Sequence, residues 1–266
     1  MNSEFEINAY TATLEKSEKI NNLHILNNGM WRIPVYQRPY SWGESEITRF
    51  IRDMFKNFKD ETGKSNPMFI GTMQISESKS GARDVIDGQQ RLTTFLLIFH
   101  VINLITRSKE NLIQTNWLES KVNRGEAQAA LVSALEKDVD ELESELKINR
   151  YAQNLKLIQE VFKEYNLPSS EVKDFRKYIL ESVYFVCIET KASLSKTLQI
   201  FEAINATGMD LNAGDLFKVN FYDYLTAKKN ENEEIFESIS GLYSKIDIAN
   251  KRRRKLHKYN GYSETI

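Results

Sequence analysis

Cysteine is almost missing from this chain: Cys187 is the only one in 266 residues. A single thiol excludes an intrachain disulfide framework and a cysteine-based zinc site, and it suits a reducing compartment. Charge of one sign is lacking as well. Thirty-six basic and 37 acidic residues leave a formal net charge of −1, so any contact with nucleic acid has to come from a local patch. No apolar run approaches the roughly 18 residues of a membrane span. The opening Met1-Asn2-Ser3-Glu4-Phe5-Glu6 has neither the basic nor the apolar region of a signal peptide. These absences lead us to expect a cytoplasmic protein with no membrane segment.

What is present describes an ordinary globular chain, 41% hydrophobic and 27% charged, long enough for one large domain or two modest ones. Its centre is Asp84-Val85-Ile86-Asp87-Gly88-Gln89-Gln90-Arg91-Leu92-Thr93-Thr94. Val85 and Ile86 have the β-branched, apolar character of a buried strand. Asp87-Gly88 is a turn signal, and Asp is also a good helix N-cap. Leu92, Phe95, Leu96 and Phe99 then recur at helical spacing, so a helix is expected from about Gln89 to Arg107. Unpaired N–H groups and the helix dipole at such a start favour an anion, and Gly88 would let a phosphate approach the backbone. Arg91 could add a bidentate contact of roughly 1.5–3 kcal/mol. Asp87 is left to cap the helix, hold Arg91, or hold a metal or water. A strand, an Asp-Gly turn and a helix also occur together without any ligand.

Residues 1–29 are polar, with a helix expected from about Ser17 to Asn27, ended by Asn28-Gly29. Next comes Trp31-Arg32-Ile33-Pro34-Val35-Tyr36-Gln37-Arg38-Pro39-Tyr40-Ser41-Trp42. Its prolines exclude a helix and favour an extended edge segment that runs into a turn. Tyr36, Tyr40 and Trp42 read as packing residues. A helix is expected from Glu44 to about Asp60. The Gly63-Lys64-Ser65 that follows is no P-loop, because Phe58 occupies the first glycine position and a helix precedes it. A strand over Met68–Ser76 and another over Arg83–Ile86 form an antiparallel hairpin. Residues 108–182 are helical and charged, with the acidic Glu136–Glu145 as a solvated face. Tyr184–Lys191 returns to strand composition, and its Glu189-Thr190-Lys191 end is half of a PD-(D/E)xK nuclease signature. The other half, an upstream acid on a neighbouring strand, is missing, since Asp174 sits in a helical pattern. Leu194–Ile204 is a helix, Gly208 a left-handed C-cap candidate, and Ala213–Tyr224 a further helix. The basic Lys251–Lys258 run reads as a solvated tail.

Three of these stretches resemble the N-terminal domain family of the GmrSD-type restriction endonucleases. They are Asp87-Gly88-Gln89-Gln90-Arg91, the Ile33-Pro34 to Trp42 segment, and Phe201-Glu202-Ala203-Ile204-Asn205 continuing through Gly208, Leu211, Asp215 and Lys218. The resemblance implies a ParB/sulfiredoxin-like α+β fold, a small mixed sheet with helices followed by a mainly helical part. On that basis residues 1–107 would form the nucleotide-binding core and 108–182 a helical insertion. Residues 183–228 would complete the domain, and 229–266 would be a helical, basic tail. It further implies a nucleotide-binding, NTP-hydrolysing module that takes part in sensing modified DNA within a restriction or anti-phage system. In that reading Gly88, Gln89 and Gln90 cradle phosphate, and Arg38 and Arg91 neutralise it. Asp87 positions Mg²⁺ or the attacking water, Gln37 orients either, and Asn205 and Lys218 lie near the pocket. Family members often carry a His-Asn-His nuclease domain. His24, His100 and His257 are too scattered to build one. The chain is therefore expected to be a specificity part served by a separate His-Asn-His nuclease subunit or domain, a truncated product, or a stand-alone member. The rival expectation is a non-catalytic DNA- or protein-interaction module with the same fold.

Overall fold

One mixed sheet carries the site. Its strands are β1 (Glu6–Ala12), β2 (Trp31–Ile33), β3 (Met68–Glu77), β4 (Arg83–Asp87), β5 (Leu118–Ser120) and β6 (Val183–Lys191). They lie in the order β1-β6-β3-β4-β2-β5. The helices are α1 (Glu44–Phe58), α2 (Gln89–Thr106), α3 (Glu126–Leu135), α4 (Arg150–Tyr165), α5 (Ser169–Ser182) and α6 (Leu194–Asn205). This computed structural model describes residues 6–15, 31–77, 83–107, 118–137, 146–192, 194–205 and 224. The expected helices over 17–27 and 213–224, the Gly208 cap and the basic run over 251–258 lie outside the described residues, apart from Tyr224 itself.

The hairpin of β3 and β4 is antiparallel, as its turn composition implied, while β3 and β6 run parallel. The α+β class holds, with α2 as its central helix. Its Leu92, Phe95, Leu96, Leu97, Ile98, Phe99, Val101 and Ile102 are all buried. An apolar face on every side marks a helix enclosed by other elements rather than one with a single inward stripe. Here α4 and α5 close over it. Leu131, Leu155, Phe162 and Phe175, from the helical stretch after residue 108, join the same buried cluster as Phe95 and Ile47. Phe55 of α1 stacks on Phe175 at 4.0 Å and meets Phe162 edge-on. The described residues up to 204 belong to one compact unit.

Three strands depart from expectation, and one of them, β5, falls within residues 108–182, which the sequence reads as helical. The polar N-terminal segment contains β1, which pairs antiparallel with β6 along its whole length. Only Ala12 of β1 is fully buried, so the hydrophobic alternation that would have marked a strand is weak. The extended segment at Trp31 is not an edge. It lies between β4 and β5, parallel to both. Only Trp31, Arg32 and Ile33 pair, so both prolines fall beyond the ladder, where their missing N–H costs nothing. Arg32 makes a bidentate bond across to Asp84, at 2.6 and 2.9 Å.

Candidate functional site: the turn from β4 into α2

β4 ends at Asp87 and α2 begins at Gln89, with Gly88 as the N-cap in a left-handed conformation, φ +95°. A side chain there would be strained, and a Cβ would sit 3.0 Å from Met73 Cγ. Glycine is therefore needed for both backbone and space. The first turn of α2 has no acidic residue and no side-chain cap. Its first helical bond is Leu92 N–H to the Gly88 carbonyl. No acceptor among the described residues bonds the main-chain N–H of Gln89, Gln90 or Arg91, the donors a helix start leaves open. Just before the turn, the β3–β4 register shifts. Gln74 faces Asp87 and Ile75 faces Val85, leaving Ile86 as an extra residue. This bulge lets the neighbours Val85 and Ile86 both be buried.

Arg91 turns inward. Its guanidinium donates to the Ile70 carbonyl at 2.6 Å, to the Thr72 carbonyl, and to Asp87 Oδ2 at 3.2 Å. Those carbonyls flank Gly71, a second left-handed glycine at φ +97°. There β3 is irregular against β6 and has already lost β4 as a neighbour. Arg91 thus finishes the sheet edge where the strand has become a helix. Burial pushes its pKa down, and Asp87 opposes that shift; the side chain stays a cation. It holds Asp87 and two backbone oxygens rather than standing free for a ligand.

The glutamines tie the Ile33–Trp42 stretch to this turn. Gln37 donates to the Ile86 carbonyl at 2.9 Å, and its own oxygen accepts from Gln89 Nε2 at 3.2 Å. Gln89 Nε2 also donates to the Arg38 carbonyl at 3.0 Å. Gln90 Oε1 accepts the N–H groups of Ser41 and Trp42, and its Nε2 donates to the Pro39 carbonyl. A buried chain extends the latch. Asn154 donates to the Tyr40 hydroxyl at 3.0 Å, which lies 2.9 Å from Thr94 Oγ1, itself bonded to the Gln90 carbonyl. Burial raises the Tyr40 pKa to about 12. Tyr40 also stacks on Tyr151 at 5.1 Å, and Trp42 packs edge-on to Phe50, so these aromatics serve packing. Arg38 is different: its carbonyl is held beside α2, its side chain is exposed, and no described side chain pairs with it.

The structure therefore brings Gln37, Arg38, Asp87, Gly88, Gln89, Gln90 and Arg91 together at one turn. Asn205 is the last residue of α6, and Lys218 lies outside the described residues. Gln74, facing Asp87, and Thr197 of α6 are buried polar neighbours that the sequence pattern did not single out. The one available signal was a glutamine between the apolar Met73 and Ile75 of β3. Glu189 and Lys191 lie on β6 as expected, with Lys191 reaching Glu6 at 3.8 Å. Among the described residues no three potential metal ligands gather, there or elsewhere. The Gly63-Lys64-Ser65 stretch is an exposed loop wrapped on Asp60, whose carboxylate accepts from Thr62, Lys64 and Asn66. Those bonds, led by the Thr62 hydroxyl, hold Asp60 well below the ordinary carboxylate range.

The fold and turn define the class: an α+β domain built on a strand–glycine–helix turn whose first helical donors are left open. The model of the GmrSD restriction endonuclease N-terminal domain matches residues 13–222, and the chain belongs to that family. It is thereby a domain related to restriction systems. No curated protein matches it. Among the described residues no helix is long and apolar enough to cross a membrane.

Proposed function

We propose that this domain binds a nucleoside triphosphate at the start of α2 and hydrolyses it, as the regulatory, DNA-sensing part of a modification-dependent restriction or anti-phage system. One observation carries the reading: the row of open N–H groups after left-handed Gly88, with the exposed Arg38 held beside it by Gln89. Main-chain donors at a helix start complement phosphate oxygens, and one unpaired guanidinium adds charge. Arg38 takes the neutralising role. Arg91 instead shapes the turn, and Gln37 holds Ile86 and Gln89. Asp87 supplies one carboxylate, which fits Mg²⁺, an ion that takes its remaining ligands from phosphates and water. When bound, that ion would neutralise phosphate charge.

A specific observation also favours the second reading, a non-catalytic DNA- or protein-interaction module. Every side chain of Gln89, Gln90 and Arg91 is already engaged within the fold, so the motif would be retained for architecture alone. Calorimetry with ATP, GTP, CTP and UTP in Mg²⁺, run beside phosphate release, separates the two. The nucleotide reading expects binding by at least one. It also expects about tenfold weaker binding in Arg38→Ala, one charge-assisted contact, and loss of turnover in Asp87→Asn. Binding by none of the four leaves the interaction module.

A further inference from the structure

The turn has a neighbour that the nucleotide reading does not use. Gln74 is 2% exposed and Thr197 is fully buried. Gln74 Nε2 donates to the Thr197 carbonyl at 3.2 Å and so ties α6 to β3. That bond leaves Gln74 Oε1 and Thr197 Oγ1 buried, with no hydrogen-bond partner among the described residues. Buried polar atoms are nearly always satisfied, so two orphan oxygens on adjacent residues call for a donor from outside the protein. Gln74 is the ladder partner of Asp87, and directly opposed residues project from the same face of a sheet. The orphan pair therefore belongs to the face that carries the Asp87 carboxylate. Gln37 offers no such vacancy, since both ends of its amide are bonded.

We infer that Gln74 and Thr197 form a buried subsite beside Asp87 that takes an O–H donor, and that this donor is the attacking water of the proposed hydrolysis. This rests on the nucleotide reading above. Gln74 Oε1 accepts one water proton and the Thr197 hydroxyl donates to the water oxygen, which leaves one lone pair to attack and the second proton free to depart. The water oxygen bonds to the terminal phosphorus as the bond from phosphorus to the bridging oxygen breaks. The nucleoside diphosphate leaves with that electron pair. The second water proton passes to a terminal phosphate oxygen and then to solvent, since the Asp87 carboxylate is held by Arg91 and keeps its Mg²⁺ role. Gln74 thus does what sequence reading assigned to Gln37.

The test uses the full chain with Gln74→Met and Thr197→Val, each close to the native shape. Turnover is measured with ATP, GTP, CTP, UTP and their 2′,3′-dideoxy forms, and binding with the non-hydrolysable β,γ-imido analogues. The expected result is a fall in kcat of tenfold or more in both variants, with Kd within twofold, the same for ribose and dideoxy substrates. A kcat within twofold of wild type in both variants overturns the subsite. Weaker binding of ribonucleotides alone, with dideoxy forms unaffected, overturns the water assignment and gives the subsite to a sugar hydroxyl. If the wild type itself binds no nucleotide, the nucleotide reading has failed and this inference falls with it. Circular dichroism melts guard the folding of each variant. Should Gln74→Met unfold, Thr197→Val carries the same outcomes, because it leaves the carbonyl that Gln74 bonds in place.

Discussion

Three of the described helices start from glycine, and two of them, α1 and α2, start in opposite ways. At α1, Gly43 is extended, φ −118°, and Glu44 and Glu46 fill the first turn. Glu46 reaches back to accept the Gly43 N–H at 3.0 Å. At α2, Gly88 is left-handed and no acid occupies the first turn. One helix supplies its own negative charge to its positive end; the other leaves that end bare while its side chains fasten a distant segment. A helix start that answers its own dipole gains a little stability and has nothing to offer an anion. A bare start forgoes that gain and keeps its donors available.

Stability measurements can break this comparison, and the largest effect is expected from Arg91→Ala. It strands the carbonyls of Ile70 and Thr72 and the Asp87 carboxylate in a mostly buried place. Removing one partner of such a buried charged cluster costs roughly 3–5 kcal/mol, read as a lower urea midpoint. Arg91→Lys should recover only a minor part, because one ammonium cannot span what the planar fork spans. A urea midpoint near wild type for Arg91→Ala would mean that the guanidinium stands free after all. Next comes Gly88→Ala, which meets both the left-handed backbone and Met73 and should cost about 1–3 kcal/mol. The matching Gly43→Ala meets ordinary van der Waals distances of 3.7 Å and should shift stability by about 0.5 kcal/mol or less. Equal effects at the two glycines would erase the contrast between the helix starts.

The same contrast explains what could be read in advance. The hairpin, the turn and α2 were legible because β-branched residues, Asp-Gly and a helical apolar repeat all agree there. The closeness of Gln37–Trp42 to the turn was legible only through resemblance. No local pattern says that Gln90 bonds the N–H groups of Ser41 and Trp42. The inward turn of Arg91 was hidden for a related reason: an arginine in a first helical turn reads as a ligand for anions until the irregular β3 strand beside it is known. The interior place of β2 was hidden because three paired residues are too few to show a period. β1 was hidden because its apolar residues do not alternate with burial, Ile7 being exposed, and because its partner is far along the chain, Glu6 against Lys191.

A smaller effect is expected at α1. The Gly43 N–H and neighbouring donors hold Glu46 below its ordinary pKa. A carboxylate depressed by folding contributes stability above its unfolded pKa, and that contribution is lost as the pH falls through the folded value. Glu46→Gln should therefore cost about 0.5 kcal/mol of stability at pH 7 for an exposed cap, read as a slightly lower thermal midpoint. The difference from wild type should close as the pH drops below the carboxylate range. A gap that persists in acid would place the stabilisation in packing rather than in the charge.

The smallest change in stability is expected from Arg38→Ala, and that makes it the most informative variant. The side chain is exposed and bonded to no described residue, while the carbonyl that Gln89 grips survives the substitution. Stability read from urea unfolding should stay within about 0.5 kcal/mol of wild type, yet affinity for nucleotide should fall. That split cannot arise at Arg91, where loss of fold and loss of ligand coincide. A fall in affinity together with a lower urea midpoint would show that Arg38 supports the latch. A fall in affinity alone would mean that the open helix start and its one unpaired cation work as a pair, with the motif's own arginine serving only to hold the stage.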